Sequence, residues 1–250
     1  KHTWNLIEQS EAGGGLYYTA KLGAANVQSY YMRKDYIEPD KSLSQSSSGL
    51  NTIGCRLNYM LNPNFSTTLE GAYQFGRSAD KSSRAYGGYA YFDCNPMWQK
   101  KFLPATLTAG MTYLSGDDPS TKDNEGWDPI FSRWPKWSDS YAYTLIKEFN
   151  KVAYWSNFAS VFASLKFGFD EQLNFNLDYH HLMAPQLSAS NVFPGGTGHT
   201  RGDLMIAKLL MNINKNLSGH LLFEHFIPGS YYFSGADASN WTRIELTYKF

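Results

Sequence analysis

A chain of 250 residues with 22 basic and 22 acidic side chains has no net field to draw nucleic acid or an acidic partner. Its aromatic share is 16 %, its charged share 18 % against roughly 25 % in soluble domains, and its mean hydropathy −0.43. No run approaches about 18 consecutive apolar residues, so a transmembrane helix is excluded. Aromatic-rich, charge-poor and yet hydrophilic on average is the signature of a membrane barrel, whose strands face lipid on one side and water on the other. Because the chain opens on Lys1 with no Met or signal peptide, it reads as processed or as a segment of something longer.

The dominant period is two. It predicts an all-β fold, an antiparallel transmembrane β-barrel of about twelve strands, as one domain over 1–250. The first strands are expected at 2–9, 15–23 and 25–35. In 49–61, Ile53, Cys55, Leu57 and Tyr59 alternate with Thr52, Gly54, Arg56 and Asn58. In 64–77, Phe65, Leu69, Tyr73 and Phe75 alternate with Ser66, Thr68, Glu70 and Gln74. Strands at 84–94, 103–115, 156–168 and 172–183 follow, with Leu173, Phe175, Leu177 and Tyr179 opposed to Asn174, Asn176, Asp178 and His180. The last three lie at 203–213, 217–227 and 240–250. In the final one, Ile244, Leu246, Tyr248 and Phe250 share a face opposite Arg243, Glu245, Thr247 and Lys249. Ten residues tilted by about 45° are what a bilayer requires, about twice the usual soluble strand.

Connections alternate in length. Short links fall at 23–26, 61–64, 169–172 and 214–216; long ones at 35–48, 76–83, 116–155, 184–202 and 228–240. Short periplasmic turns and long outer loops give the orientation, with the C-terminus periplasmic and 93–103 a longer periplasmic turn. Cys55 and Cys94 fall on non-adjacent strands, which speaks against a disulfide.

By the same alternation Lys21, Arg56, Lys166, Lys208, Arg243 and Lys249 face the lumen, with Glu70, Asp178, Glu224 and Glu245. They form either a structural ion-pair ladder or the lining of a pore that sets which solutes pass. The slight basic excess favours anionic or polyhydroxylated solutes. The loop 116–155, at about 40 residues, is too long for a connector. Its aromatic residues Trp127, Phe131, Trp134, Trp137, Tyr141, Tyr143 and Trp155 either form the loop's own small core or fold it over the pore mouth, or else stack on sugar rings. Its acidic opening, Asp117, Asp118, Asp123, Glu125 and Asp128, offers oxygen ligands of the kind Ca²⁺ takes, without the EF-hand spacing. No other cofactor is implied. His180 and His181, adjacent on a strand, point to opposite faces, as do His220 and His225. No HExxH, GxSxG or Walker-type run occurs, and no Ser stands two residues after a His as in outer-membrane phospholipases, so no catalytic residue is assigned and an enzyme is not expected.

Gly116-Asp117-Asp118 followed by Trp127-Asp128-Pro129-Ile130-Phe131 resembles the alginate-export family of outer-membrane barrels. So do Leu217-Ser218-Gly219-His220-Leu221 with Glu224, Pro228-Gly229-Ser230-Tyr231-Tyr232, the terminal Arg243–Phe250 and the opening Gly13–Tyr18. The resemblance implies a conduit for polysaccharide or related solutes and a wall of about 18 strands, within the even-numbered range of such barrels. On that reading this chain is the C-terminal part, lacking N-terminal strands. Acids interspersed among the lumen cations depart from a strongly electropositive conduit. The expectation is a passive outer-membrane channel for small polar, anionic or saccharide solutes, in contact with membrane lipid. The alternatives are a structural or adhesive barrel with a plugged lumen, and an outer-membrane hydrolase.

Overall fold

The computed structural model describes residues 11–36, 49–78, 81–95, 105–132, 138–140, 155–169, 172–187 and 196–250. Among the described residues eleven strands follow one another: β1 (Glu11–Leu22), β2 (Ala25–Tyr36), β3 (Gly49–Asn62), β4 (Phe65–Ser78), β5 (Lys81–Cys94) and β6 (Ala105–Leu114). The series continues through β7 (Phe158–Gly168), β8 (Leu173–Met183), β9 (Thr200–Asn212), β10 (Leu217–Pro228) and β11 (Ser239–Tyr248). They form one sheet in chain order, every neighbour antiparallel. No α-helix occurs among the described residues, and no helix is long and apolar enough to cross a membrane. Strands of 10 to 14 residues match the bilayer requirement.

The register divides the sheet into two faces. Leu16, Ile53, Leu69, Met111, Val161, Leu177, Phe223 and Ile244 share one face and are exposed. An exposed apolar face across all eleven strands belongs in hydrocarbon, and each strand between the two end ones is bonded to a neighbour on both sides. This is the wall of an antiparallel membrane β-barrel. Between its end strands the pairing is continuous, with register shifts at Met60/Asn62 on β3 and Leu182/Met183 on β8, but among the described residues β1 and β11 are not paired with each other.

Two expected boundaries shift. The segment 76–83, read as a loop, is mostly strand: β4 and β5 continue until Ser78 pairs with Lys81. Its Arg, Ser and Lys residues continue a hairpin past the apolar band into water, where polarity no longer signals a loop. β1 begins at Glu11, before the expected 15, because Gly13, Gly14 and Gly15 still pair with Lys34, Arg33 and Met32. The expected strand 2–9 lies outside the described residues. Cys55 and Cys94 are free thiols on β3 and β5, which are not neighbours.

Candidate functional site: the inner face and the loop across it

On the inner face, the half toward the short turns is polar. Arg56 lies opposite Glu70, Lys166 opposite Asn176, and Asn176 opposite Lys208. Asp178 accepts the Ser164 hydroxyl. Glu70 is held by two phenols, Tyr30 Oη at 2.7 Å and Tyr89 Oη at 2.5 Å, and not by the guanidinium opposite it. Arg243 pairs with Glu245 and, at 2.8 Å, with Asp139. Among the described residues Arg56, Lys166 and Lys208 have no ion-pair partner, so no continuous ladder of salt bridges forms across the wall. Lys21 lies on the same face at β1, and Lys249 is exposed beyond β11 at the short-turn end, its backbone bonded to Asn216.

The half toward the long loops is different. Leu114, Phe158, Leu182, Leu204, Ile206, Leu222 and Phe226 also take inner-face positions, and they bury one another with Tyr231 and Tyr232 from the β10–β11 connection. A uniformly wet inner face was expected; five neighbouring strands, β6 to β10, instead carry an apolar patch.

Two described stretches of the segment between β6 and β7, around Asp128 and at Ser138–Ser140, lie against this half of the inner face, each held by its own cluster. At the first, Lys34 is 1 % exposed, with its Nζ 3.2 Å from Asp128 Oδ1 and 3.0 Å from Glu11 Oε1. It also donates to the Ile130 carbonyl at 2.9 Å. Asp128 accepts from Tyr36 as well, while its backbone N–H and C=O are both taken by the Gln74 amide at 2.9 and 2.7 Å. Three strands, β1, β2 and β4, thus grip one turn of the loop. Phe131 reaches Gly13, where a β-carbon would stand 2.4 Å from its ring. Ile130 sits at φ 58°, in the left-handed region that a β-branched residue rarely enters, and the Asp128 and Lys34 contacts on both sides of it hold it there.

At the second cluster Glu224, 2 % exposed, takes three donors from the loop: Ser138 Oγ at 2.6 Å and the backbone N–H groups of Asp139 at 2.7 Å and Ser140 at 3.0 Å. Asp139 then reaches Arg243 on β11. The described stretches of the loop are therefore bound to β2 and β4 at Asp128 and to β10 and β11 at Ser138–Ser140. Its return into β7 is fixed by Asn157, which exchanges side-chain hydrogen bonds with the Gln186 backbone and whose carbonyl accepts from the buried Arg201.

The acidic opening of the loop is taken up partly by the loop itself and partly by the wall, where Lys81 meets Asp117 at 3.9 Å, Arg84 meets Asp123 at 3.5 Å and Lys34 holds Asp128. Asp117 Oδ1 accepts from Glu125 N, Glu125 Oε2 from Asp118 N, and Asp118 Oδ1 from Ser120 N and Oγ. The Ser120 hydroxyl and amide hold the Asp118 carboxyl below its ordinary range, while partial burial lifts that of Asp117. No group of three or more His, Cys, Asp or Glu side chains among the described residues is placed to hold a cation. The Ca²⁺ site considered from this segment has no cage. Trp134, Trp137, Tyr141 and Tyr143 lie outside the described residues.

No family model matches the chain, and no curated protein does. Two solved structures align along nearly its whole length. The KdgM porin is 11 % identical, with 96 % of this chain and 95 % of that one covered and a TM-score of 0.37. The NanC porin is 10 % identical, with 96 % and 99 % covered and a TM-score of 0.39. Both are sequence-remote likenesses with loose superposition.

His180 and His181 do face opposite sides: His180 is buried on the inner face, 3.3 Å from Ser160 Oγ and stacked on Phe162, and His181 meets Asp203 on the outer face. Ser160 and His180 are a nucleophile–base pair in type alone, since among the described residues no carboxylate hydrogen-bonds the other imidazole nitrogen. Sequence reasoning missed Lys34, Tyr36 and Gln74 as loop anchors. All three fall at inner-face positions near the long-loop ends of their strands, where a buried Lys or Gln has to find a partner arriving from a loop.

Proposed function

We propose that this chain forms a passive channel of the bacterial outer membrane for small polar or saccharide solutes, narrowed from inside by the β6–β7 loop. The supporting observation is the pair of anchors that lay the loop across the inner face, Asp128 on Lys34 and Gln74, and Ser138–Ser140 on Glu224. A loop fixed to two distant parts of one wall restricts the passage between them while leaving the polar half beyond it lined by Arg56, Lys166, Lys208, Asp178 and Arg243. The C-terminus is periplasmic in this reading and the long loops face outward. The motif likeness to alginate-export barrels would extend the solute range to polysaccharide. Conductance of the folded protein in a planar bilayer tests the channel. Stable ion-conducting events are expected, and a correctly folded protein that conducts nothing overturns it.

A second reading is favoured by one observation, the apolar patch of Leu114, Phe158, Leu204, Ile206 and Leu222 packed under the loop-side residues. Such packing also suits a plugged lumen serving a structural or adhesive barrel. The same conductance measurement separates the two.

A further inference from the structure

A cavity of about 170 Å³ lies where the loop meets the wall, on the inner face between β2, β4, β5 and β6. Tyr30, Glu70, Tyr89, Thr112, Trp127 and Trp155 line it. Gly87 and Gly88 form part of its floor, and at Gly87 a β-carbon would come within 2.9 Å of the Trp127 indole, so the missing side chain is what lets that ring lie close to the strand. The walls are therefore aromatic, brought together from two strands and both arms of the loop. At one side sits a carboxylate whose two oxygens each receive a phenol. A phenolic oxygen that has donated its proton keeps lone pairs to accept from a hydroxyl, and a carboxylate with one bond per oxygen has acceptor capacity left.

We propose that this cavity is a subsite for an uncharged pyranose ring, resting on the channel reading above. A sugar ring presents C–H faces and a belt of hydroxyls, and it needs aromatic surface for the first and densely paired acceptors for the second. Aromatic rings at Tyr30, Tyr89, Trp127 and Trp155 supply the surface, and the Tyr30–Glu70–Tyr89 chain supplies acceptors. The ring is uncharged because, among the described residues lining the cavity, Glu70 is the one carboxylate and no Lys or Arg lines it, Arg56 lying opposite Glu70 on β3 outside the lining. An acidic sugar brought there would face a like charge in a half-buried site. On the channel reading the subsite lies beside the arm of the loop that narrows the passage.

The test titrates intrinsic tryptophan fluorescence of the detergent-folded protein with methyl glucoside and, separately, with glucuronate, a ring of similar size bearing a carboxylate. A saturable change with the glucoside is expected, with glucuronate weaker by about tenfold, the worth of one unfavourable charge contact. Tyr89→Phe, which removes one phenol while keeping the ring, is expected to weaken the glucoside by about fivefold to tenfold, and Glu70→Gln to narrow the gap between the two sugars. Trp127→Phe should shrink the fluorescence change itself. If a variant fails to fold, the comparison of the two sugars on the unaltered protein still decides. Absence of saturation, preference for glucuronate, or affinities indifferent to both Tyr89→Phe and Glu70→Gln overturns the subsite. A conducting protein with no saturable sugar effect defeats the subsite alone, and saturable binding by a protein that does not conduct defeats the channel alone.

Discussion

Lys34 and Asp128, 94 residues apart in sequence, meet at 3.2 Å with both side chains buried. One lies on the second strand and the other on the turn of a loop that leaves the sixth, so their contact carries the loop to the opposite part of the wall. Breaking a buried pair by removing one partner leaves an uncompensated charge and costs about 3–5 kcal/mol. Asp128→Ala is therefore expected to release the loop arm, seen as larger single-channel conductance and increased current noise. Lys34→Met, which removes the charge but keeps the stem, leaves Asp128 with Tyr36 and Gln74 and is expected to act in the same direction but less. Unchanged conductance in both would place the loop outside the passage.

Glu224 anchors the other arm through three donors, so Glu224→Ala should raise conductance as Asp128→Ala does. The two anchors share one loop, and energies that share an element are not additive. The double variant is expected to conduct like a protein whose residues 119–153 are replaced by a short linker, while each single variant lies between that value and the unaltered one. Equal conductance of the single and double variants would mean that one anchor holds the loop alone.

The strand pattern was legible almost to the residue because period two with lipid on one face is imposed by solvent, independent of partners. Val161, Leu177 and Ile244 had to lie on one side whatever strand stood beside them. The pairing of Arg56 with Glu70 across β3 and β4 could not be read, since a chain carries no neighbour list, and the outcome differed from an ion-pair ladder: tyrosines took the carboxylate. The inner-face apolar patch was invisible for a related reason. Leu204, Ile206 and Leu222 obey the alternation, but an apolar residue on the water side becomes intelligible only when a loop arrives to cover it. Asp128 was noticed for the wrong chemistry, as one of a run of acids, because its partners come from strands far away in sequence.

Three cations on the inner face, Arg56, Lys166 and Lys208, stand without ion-pair partners among the described residues. A channel lined by them favours anions, an effect that weakens as salt screens it. In a KCl gradient the reversal potential is expected to shift toward cation selectivity on Lys166→Glu and further on Lys166→Glu with Lys208→Glu, which lie one strand apart on either side of Asn176. The shift should be larger at low salt. A reversal potential that ignores both substitutions would place these side chains away from the ion path.

Leu69 and Thr68 are consecutive residues of β4 whose side chains the register assigns to opposite faces, Leu69 exposed with the apolar set and Thr68 buried against Asn58. An arginine near the middle of a lipid-facing strand costs about 2–4 kcal/mol, because it enters hydrocarbon. On the inner face it meets water and polar neighbours instead. Equilibrium unfolding from lipid vesicles in guanidinium should thus show Leu69→Arg destabilising by about 2–4 kcal/mol, with the inner-face Thr108→Arg, beside Asp93, costing far less. Val161→Arg, on the outer face of β7, should repeat the Leu69 result with the wall entered from its other half. Equal costs on the two faces, or a larger cost at Thr108, would mean that the face taken here as outward is not the one that meets lipid.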